Sequence, residues 1–391
     1  MSRAGSQTRT LAEMLRRLRP HWGSDAGLPA RIESMLGGDR RLGSRDRRLY
    51  RELVYTTLRY LPWIAPFIDT DPDEAARRAA WLAGDIPAVQ PFRGEVAAGL
   101  PEVPAAADEK ARVLACDAEA LTPHWFRAEC PEAFSAPLRD ALLERAPLWL
   151  RLQADDPSPV LAEFDARGWA WRPSDLVAGA VRLPHGADVS ATGAYASGKV
   201  EIQDVGSQRI LALAGVGAGE RWLDACAGAG GKTLQLASLV GPGGRVTARD
   251  TRRSALDELS VRAARSGLSG RVAIGDPSDP PSGFDAVLVD APCTGTGTWR
   301  RAPHLKWVTT PEGVASAAAL QLRLLRENAG RVRTGGRLVY ATCSLCRSEN
   351  AAVAQAFLNE AAGFEALLPG NTLLPQSHDG DGYFVASFRR A

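Results

Sequence analysis

Two thiols and a carboxylate stand at the ends of apolar runs, where covalent chemistry is most easily built. The run 284–290 (Phe-Asp-Ala-Val-Leu-Val-Asp) reads as a strand that ends in Asp290 and continues through Ala291-Pro292 to Cys293. Val339-Tyr340-Ala341-Thr342-Cys343-Ser344 reads as a second strand with a thiol at its tip. In an open α/β sheet the carboxyl ends of the strands line the ligand crevice, so Asp290, Cys293 and Cys343 are expected to face one site. A free cysteine is only a few per cent thiolate at pH 7. The site is therefore expected to lower a thiol's pKa, with Lys232 or a nearby Arg as the cation. Cys343-x-x-Cys346 raises metal or redox chemistry, but no second Cys or His pair stands at zinc spacing. Cys346 reads as a helix-entry residue, and no metal is expected.

These residues need a frame, and strand–helix alternation from residue 201 onward supplies it. Strands are expected over 221–226, 245–250, 271–276, 284–290 and 337–342, with helices near 231–240, 252–266, 311–332 and 347–361. The pattern implies a doubly wound, mostly parallel sheet, closed by an alternating strand over 382–388. The first strand runs into Asp224-Ala225-Cys226-Ala227-Gly228-Ala229-Gly230-Gly231-Lys232-Thr233. Glycines between a strand and a helix let a ligand approach backbone amides. A P-loop fails on spacing, because the position five before Gly231 is Cys226. The dinucleotide fingerprint fails because Thr233 stands where its third glycine belongs. The next two strands end in Asp250 and Asp276. An acid at the second strand tip commonly bonds a ribose hydroxyl, and one a strand further on can meet an adenine amino group. Each also reads as a loop acid or helix cap when taken singly. As a set, the three strand tips ending in Asp224, Asp250 and Asp276 point to a nucleoside-type cofactor.

Two thiols and an acid beside such a cofactor suggest one reaction in particular. Carbon 5 of a pyrimidine is a poor nucleophile. Thiolate addition to carbon 6 makes an enamine whose carbon 5 can attack a methyl donor, and an acid near N3 steadies the charge that develops there. The carbon-5 proton must then leave and the thiol must be expelled, which gives a second group near the base a purpose.

The motifs Asp224–Thr233, Asp290–Gly297, Arg301-Ala302-Pro303-His304-Leu305-Lys306-Trp307 and Tyr340–Leu345 resemble those of RNA cytosine-C5 methyltransferases of the RsmB/NOP/NSUN type. Ile202-Gln203-Asp204 with Ser207-Gln208, and the ending Asp381-Gly382-Tyr383-Phe384, resemble the same family. The likeness covers about residues 196–391. It implies a Rossmann-like class I methyltransferase domain and S-adenosylmethionine as cofactor, bound by Cys226, Ala227, Gly228, Ala229, Gly230, Gly231, Lys232, Asp250, Asp276 and Asp290. It further implies Cys343 as nucleophile, Cys293 as the residue that assists release, and Asp290 at the base or the methyl-donor end of the cofactor. Lys232 completes the expected catalytic set. The family usually has Ala-Pro-Gly-Gly-Lys in the first motif. Here Ala229 replaces the proline, leaving the loop without that ring's rigidity.

Charge is spread unevenly along the chain. Residues 1–60 hold 13 arginines against 6 acids, although the whole chain is only +2. Such a segment suits a polyanion or, more plainly, solvated helix faces. Helical patterns at 8–22, 45–68, 74–83 and 108–119 make an all-helical region. Asp46–Arg59 resembles a helix of the NusB-like RNA-binding domain found in ribosomal members of the family. A small α+β module similar to the family's RRM-like subdomain follows. The expected domains are 1–140 helical, 141–195 RRM-like and 196–391 methyltransferase. No run reaches the roughly 18 apolar residues of a membrane span, and six sparse cysteines fit a reducing cytoplasm. The whole reads as a cytoplasmic methyltransferase making 5-methylcytosine, most naturally in 16S ribosomal RNA, with RNA as partner, no membrane and no obligate protein partner. A transfer-RNA substrate, an inactive RNA-binding assembly factor and a DNA cytosine methyltransferase are the rival readings.

Overall fold

A computed structural model of the chain describes residues 2–275 and 282–391; Asp276 lies outside the described residues. The chain folds as two compact units, Met1–Arg145 with Trp299–Pro311, and Ala146–Thr298 with Glu312–Ala391.

The first unit is helical. Helix Arg3–Leu18 is capped by the Ser2 hydroxyl, which accepts from the Gly5 amide at 3.1 Å, and it buries Leu11, Met14, Leu15 and Leu18. The helix expected over 45–68, with Pro62 ending or kinking it, does divide at that point. Ser44–Arg59 ends where Tyr60 leaves helical geometry, and Pro62 lies in a separate turn, Leu61–Ile64. Helix Leu28–Gly38 and helix Gln90–Val96 were not legible; the second lies in a stretch rich in proline and alanine, 84–107. The segment 299–311 belongs to this core. Lys306 Nζ donates to the Arg59 carbonyl at 2.9 Å, Trp307 Nε1 to the Leu58 carbonyl at 2.6 Å, and the Trp299 ring lies 4.6 Å from Phe126. The motif around Lys306 thus folds as part of the helical unit, although it was expected in the catalytic domain.

The second unit holds two sheets. The small one comprises β1 (Leu148–Leu152), β2 (Arg172–Pro173), β3 (Ala180–Leu183) and β4 (Val200–Ile202), in the order β2-β3-β1-β4 and antiparallel throughout. The module therefore extends through β4, past the boundary expected at 195. The large sheet comprises β5 (Arg221–Asp224), β6 (Arg245–Ala248), β7 (Val272–Ile274), β8 (Phe284–Asp290), β9 (Val332–Thr342), β10 (Phe364–Leu373) and β11 (Tyr383–Arg390). Its order is β10-β11-β9-β8-β5-β6-β7. Strands β5 to β9 pair in parallel, and β11 runs antiparallel between β9 and β10. This is the Rossmann-like class I methyltransferase arrangement, a doubly wound and mostly parallel sheet. Ala286, Val287, Leu288 and Val289 are wholly buried, as a strand covered by helices on both faces requires. Burying each of the larger side chains contributes about 1.5–3 kcal/mol.

Lys306 is a fully buried cation of the helical unit. Burial, and secondarily the Arg59 charge, pushes its pKa from 10.5 down to about 7. The unfolded chain then binds more protons than the folded one between those two values, so this group makes stability rise with pH across that window. Lys306→Met loses one hydrogen bond at every pH but abolishes the rise. Melting temperatures followed from pH 7 to 9.5 should show the wild type gaining on the variant; parallel curves would sink this assignment.

Candidate active site

Parallel pairing brings the two thiols together. Strands β8 and β9 run in register with Asp290 opposite Ala341, so Cys293 and Cys343 emerge from adjacent tips. Their sulfurs lie 3.3 Å apart, and all six cysteines are thiols. The Cys293 thiol is held well above its ordinary value by its hydrogen bond with Cys343, then by burial, then by the Cys343 and Glu349 charges. The attacking thiol was expected to be activated by Lys232 or a nearby Arg. The structure differs: Lys232 Nζ donates to Asp290 Oδ2 at 2.8 Å and lies 5.6 Å from the centre of the Tyr383 ring. The ammonium therefore orients the carboxylate of the set.

The first-motif loop leaves β5 at Asp224, which is buried and accepts from the Thr233 hydroxyl at 2.7 Å. Burial pushes Asp224 up to about 7, against the opposing pull of Thr233; Asp290 raises it further and Lys232 lowers it. Cys226 is driven up strongly by burial and by the neighbouring acids, which leaves it an inert thiol. Gly228 and Gly230 have φ of 53° and 92°. At Gly230 a side-chain Cβ would sit 2.1 Å from Leu259 Cδ1, whereas at Gly231 it would meet nothing within 4 Å. The Ala227 amide donates to the Arg249 carbonyl at 2.8 Å, tying the loop to the end of β6. Where the missing proline would have stiffened the loop, Arg262 Nη1 donates to the Ala229 carbonyl at 2.6 Å. Its Nη2 reaches Glu201 of β4 at 2.7 Å.

Asp250 does not cap the helix that follows, whose N-cap is Arg252 without a side-chain bond. Asp250 Oδ1 accepts from the Arg252 amide at 2.9 Å at the entry to helix Arg253–Arg265, and its Oδ2 accepts from the Gly228 amide at 2.8 Å. Burial raises its pKa, but the Arg252 and Gly228 donors outweigh burial and hold it below the usual carboxylate range. The acid is thus fixed beside the glycine loop. The remaining motifs also converge. Asp204 caps helix Val205–Ala214 through the Gly206 amide and accepts from the Asp381 amide at 3.0 Å. The Gly382 amide donates to the Gly297 carbonyl at 2.7 Å, and the Gly297 amide to the Cys343 carbonyl at 3.0 Å.

One group at the centre of the site was missed. Glu349 is wholly buried, and its carboxylate accepts from the Thr294 amide at 2.9 Å, the Thr294 hydroxyl, the Ser344 hydroxyl at 2.6 Å and Gln321 Nε2 at 3.0 Å. Thr294 follows Cys293 and Ser344 follows Cys343. The Tyr340 hydroxyl donates to Gln321 Oε1 at 3.0 Å and to the Glu349 carbonyl. In the sequence Glu349-Asn350 reads as an ordinary acidic helix entry. The available signal was that an acid so near Cys343 precedes a wholly apolar helix face. Cys346 is buried beside Thr296 Oγ1 at 3.7 Å.

Comparison with known proteins gives a consistent picture. Residues 211–389 match the family model described as 16S rRNA methyltransferase RsmB/F. The chain is 34% identical over 288 residues to Ribosomal RNA small subunit methyltransferase B of Escherichia coli K12, covering 70% of this chain and 67% of that one. Its fold is similar to the crystal structure of PH0851, with a TM-score of 0.75 and 20% identity over the whole of both chains. It is also similar to NSun6 from Pyrococcus horikoshii, crystallised with SFG, at a TM-score of 0.61 and 16% identity over 68% of this chain and 96% of that one.

The loop geometry separates two glycines. Gly230→Ala forces a Cβ into Leu259 at a left-handed φ and is expected to cost about 1–3 kcal/mol. Gly231→Ala enters open space at an ordinary φ and should be neutral or stabilise by about 0.4–1 kcal/mol. Denaturant unfolding of the two variants tests this; equal losses would contradict the geometry.

Proposed function

The chain belongs to the RsmB/F family of methyltransferases, and from that premise we propose that it is an S-adenosylmethionine-dependent RNA methyltransferase forming 5-methylcytosine in 16S ribosomal RNA. The observation that carries this reading is the pair of thiols 3.3 Å apart on adjacent strand tips, with Asp290 on the same side. A DNA cytosine methyltransferase would not need the second thiol.

The residues of the first-motif loop fit the cofactor. Gly228 and Gly230 give a backbone cradle, the space at Gly231 is open, and Asp250 stands at the tip of the next strand. Bound S-adenosylmethionine supplies the methyl group. Cys343 adds to carbon 6 of the cytosine, and its proton ends on N3. Asp290, oriented by Lys232, accepts a hydrogen bond from that N3–H and so steadies the adduct. After methylation carbon 5 loses its proton to solvent as the carbon 6–sulfur bond breaks and the ring double bond re-forms; the departing Cys343 sulfur takes a proton from Cys293, and the proton left on N3 is released and restores the Cys293 thiol. A thiol with a raised pKa suits that donation, because it stays protonated until needed.

The target cytosine must leave its stack to expose carbon 6, so the substrate is a loop or an opened helix. In the NusB-like helical unit, Arg17, Arg31, Arg40 and Arg41 line a groove of about 1010 Å³ and would supply phosphate contacts. Six thiols and RNA as substrate are consistent with a cytoplasmic protein.

Two measurements test the reading. Gly231→Ala should weaken S-adenosylmethionine binding by calorimetry while leaving stability intact; unchanged affinity would remove the loop from the cofactor site. Cys293→Ala should accumulate a covalent RNA–protein adduct on denaturing gels and Cys343→Ala none, with bisulfite sequencing of total RNA from a deletion strain losing a mark in 16S rRNA. An adduct that forms only in Cys343→Ala reverses the two roles, and a mark lost from transfer RNA instead moves the substrate.

A further inference from the structure

We propose that Glu349 is the positioning residue of the two-thiol site: its buried carboxylate clamps the loop after each strand tip, so that Cys293 and Cys343 are presented as one unit. The inference rests on the functional reading above and deepens it.

The reaction acts at two adjacent ring carbons. Cys343 must reach carbon 6 while Cys293 stays within reach of the Cys343 sulfur, so the two thiols must be held in contact. Nothing in the sheet alone fixes this. The pairing of β8 with β9 ends at Asp290 and Ala341, and both thiols lie beyond it in loop backbone. A loop can shift by an ångström without breaking the sheet, and a misplacement of that size can cost on the order of 10²-fold in rate.

Glu349 removes that freedom. It takes two hydrogen bonds from Thr294, one residue past Cys293, and one from Ser344, one residue past Cys343. The fourth donor, Gln321 of helix Pro311–Ala329, also donates to the Pro292 carbonyl at 3.0 Å and so grips the residue before Cys293 as well. Next door, Asn350 Nδ2 donates to the Ser344 carbonyl at 2.9 Å and the Thr342 hydroxyl to Asn350 Oδ1 at 2.6 Å. Both cysteines are thus flanked on each side by residues tied to the Glu349–Asn350 turn or to Gln321. A carboxylate is the group suited to this place, because every neighbour directed at it is a donor. Glutamine would turn an amide N–H towards donors, and aspartate is one methylene too short to hold both loops.

The charge also faces the thiols. Glu349 and Cys343 both act to keep the Cys293 proton on, and the Tyr340 hydroxyl is the other titratable group packed beside them. Glu349 thus adds a charge facing Cys293 to the contacts by which it holds both loops.

The test uses the full-length protein with Glu349→Gln, Glu349→Asp and, in parallel, Cys293→Ala. Iodoacetamide alkylation of Cys293 and Cys343 is followed against pH by peptide mass spectrometry, alongside melting temperature and single-turnover methylation of 16S rRNA. Glu349→Gln should shift the Cys293 alkylation profile to lower pH and accelerate it several-fold, with a loss in kcat on the order of 10²-fold and little change in KM for RNA. Glu349→Asp keeps the charge, so it should lose kcat with a smaller change in the alkylation profile. If both variants lose only melting temperature while the thiol profiles and kcat stay as in the wild type, Glu349 is a structural residue and the proposal is overturned. The Cys293→Ala arm reads the functional proposal separately. Absence of a covalent adduct there overturns the two-thiol chemistry, while the alkylation profiles still decide whether Glu349 holds the thiol pair.

Discussion

The parallel pairing of β8 with β9 is the constraint on which the rest of the site depends. With Asp290 opposite Ala341, two chain segments about fifty residues apart end side by side and pointing the same way. The pairing is secured by burial. Val287, Leu288, Val289, Leu338, Val339 and Tyr340 are wholly enclosed, so sliding either strand along its axis would draw a polar end residue such as Asp290 into the apolar core. The apolar strands thus set where the polar chemistry occurs, although they take no part in it.

Around that pairing the site is organised by carboxylates with different duties. Asp290 faces the crevice and is oriented by Lys232. Asp250 is consumed by backbone amides that fix the glycine loop beside it. Asp224 is buried with Thr233 and pushed up to about 7, chiefly by burial. Glu349 is wholly enclosed and surrounded by donors. What distinguishes them is burial and donor supply, the two quantities that decide whether a carboxylate can be displaced by a ligand or only holds structure.

The small antiparallel module bears on the cofactor loop through one chain of contacts. Glu201 of β4 is buried between Arg262 and Arg265, and Arg262 continues to the Ala229 carbonyl. A loop that has lost its proline is therefore held by a guanidinium from helix Arg253–Arg265. Backbone restriction through a ring and restriction through a buried hydrogen bond are different solutions to the same need, and only the second links the loop to the neighbouring module.

The sequence alone determined the sheet class and the strand tips. Period-2 and continuous apolar runs fix strands locally, and motif residues such as Asp290, Cys293, Cys343 and Asp250 are legible because their spacing from those runs is short. The helices Leu28–Gly38 and Gln90–Val96, and the β10 strand, were not legible, because their patterns are short or interrupted by glycine and proline. Tertiary structure decided what depends on long-range pairing. It gave Lys232 to Asp290 and not to a thiol, held the Cys293 pKa up, and folded the Lys306 segment into the helical unit. It also revealed Glu349 as the carboxylate between the two cysteine loops. A side chain's donors and its desolvation are set by what the fold packs against it, and no local pattern in the chain carries that information.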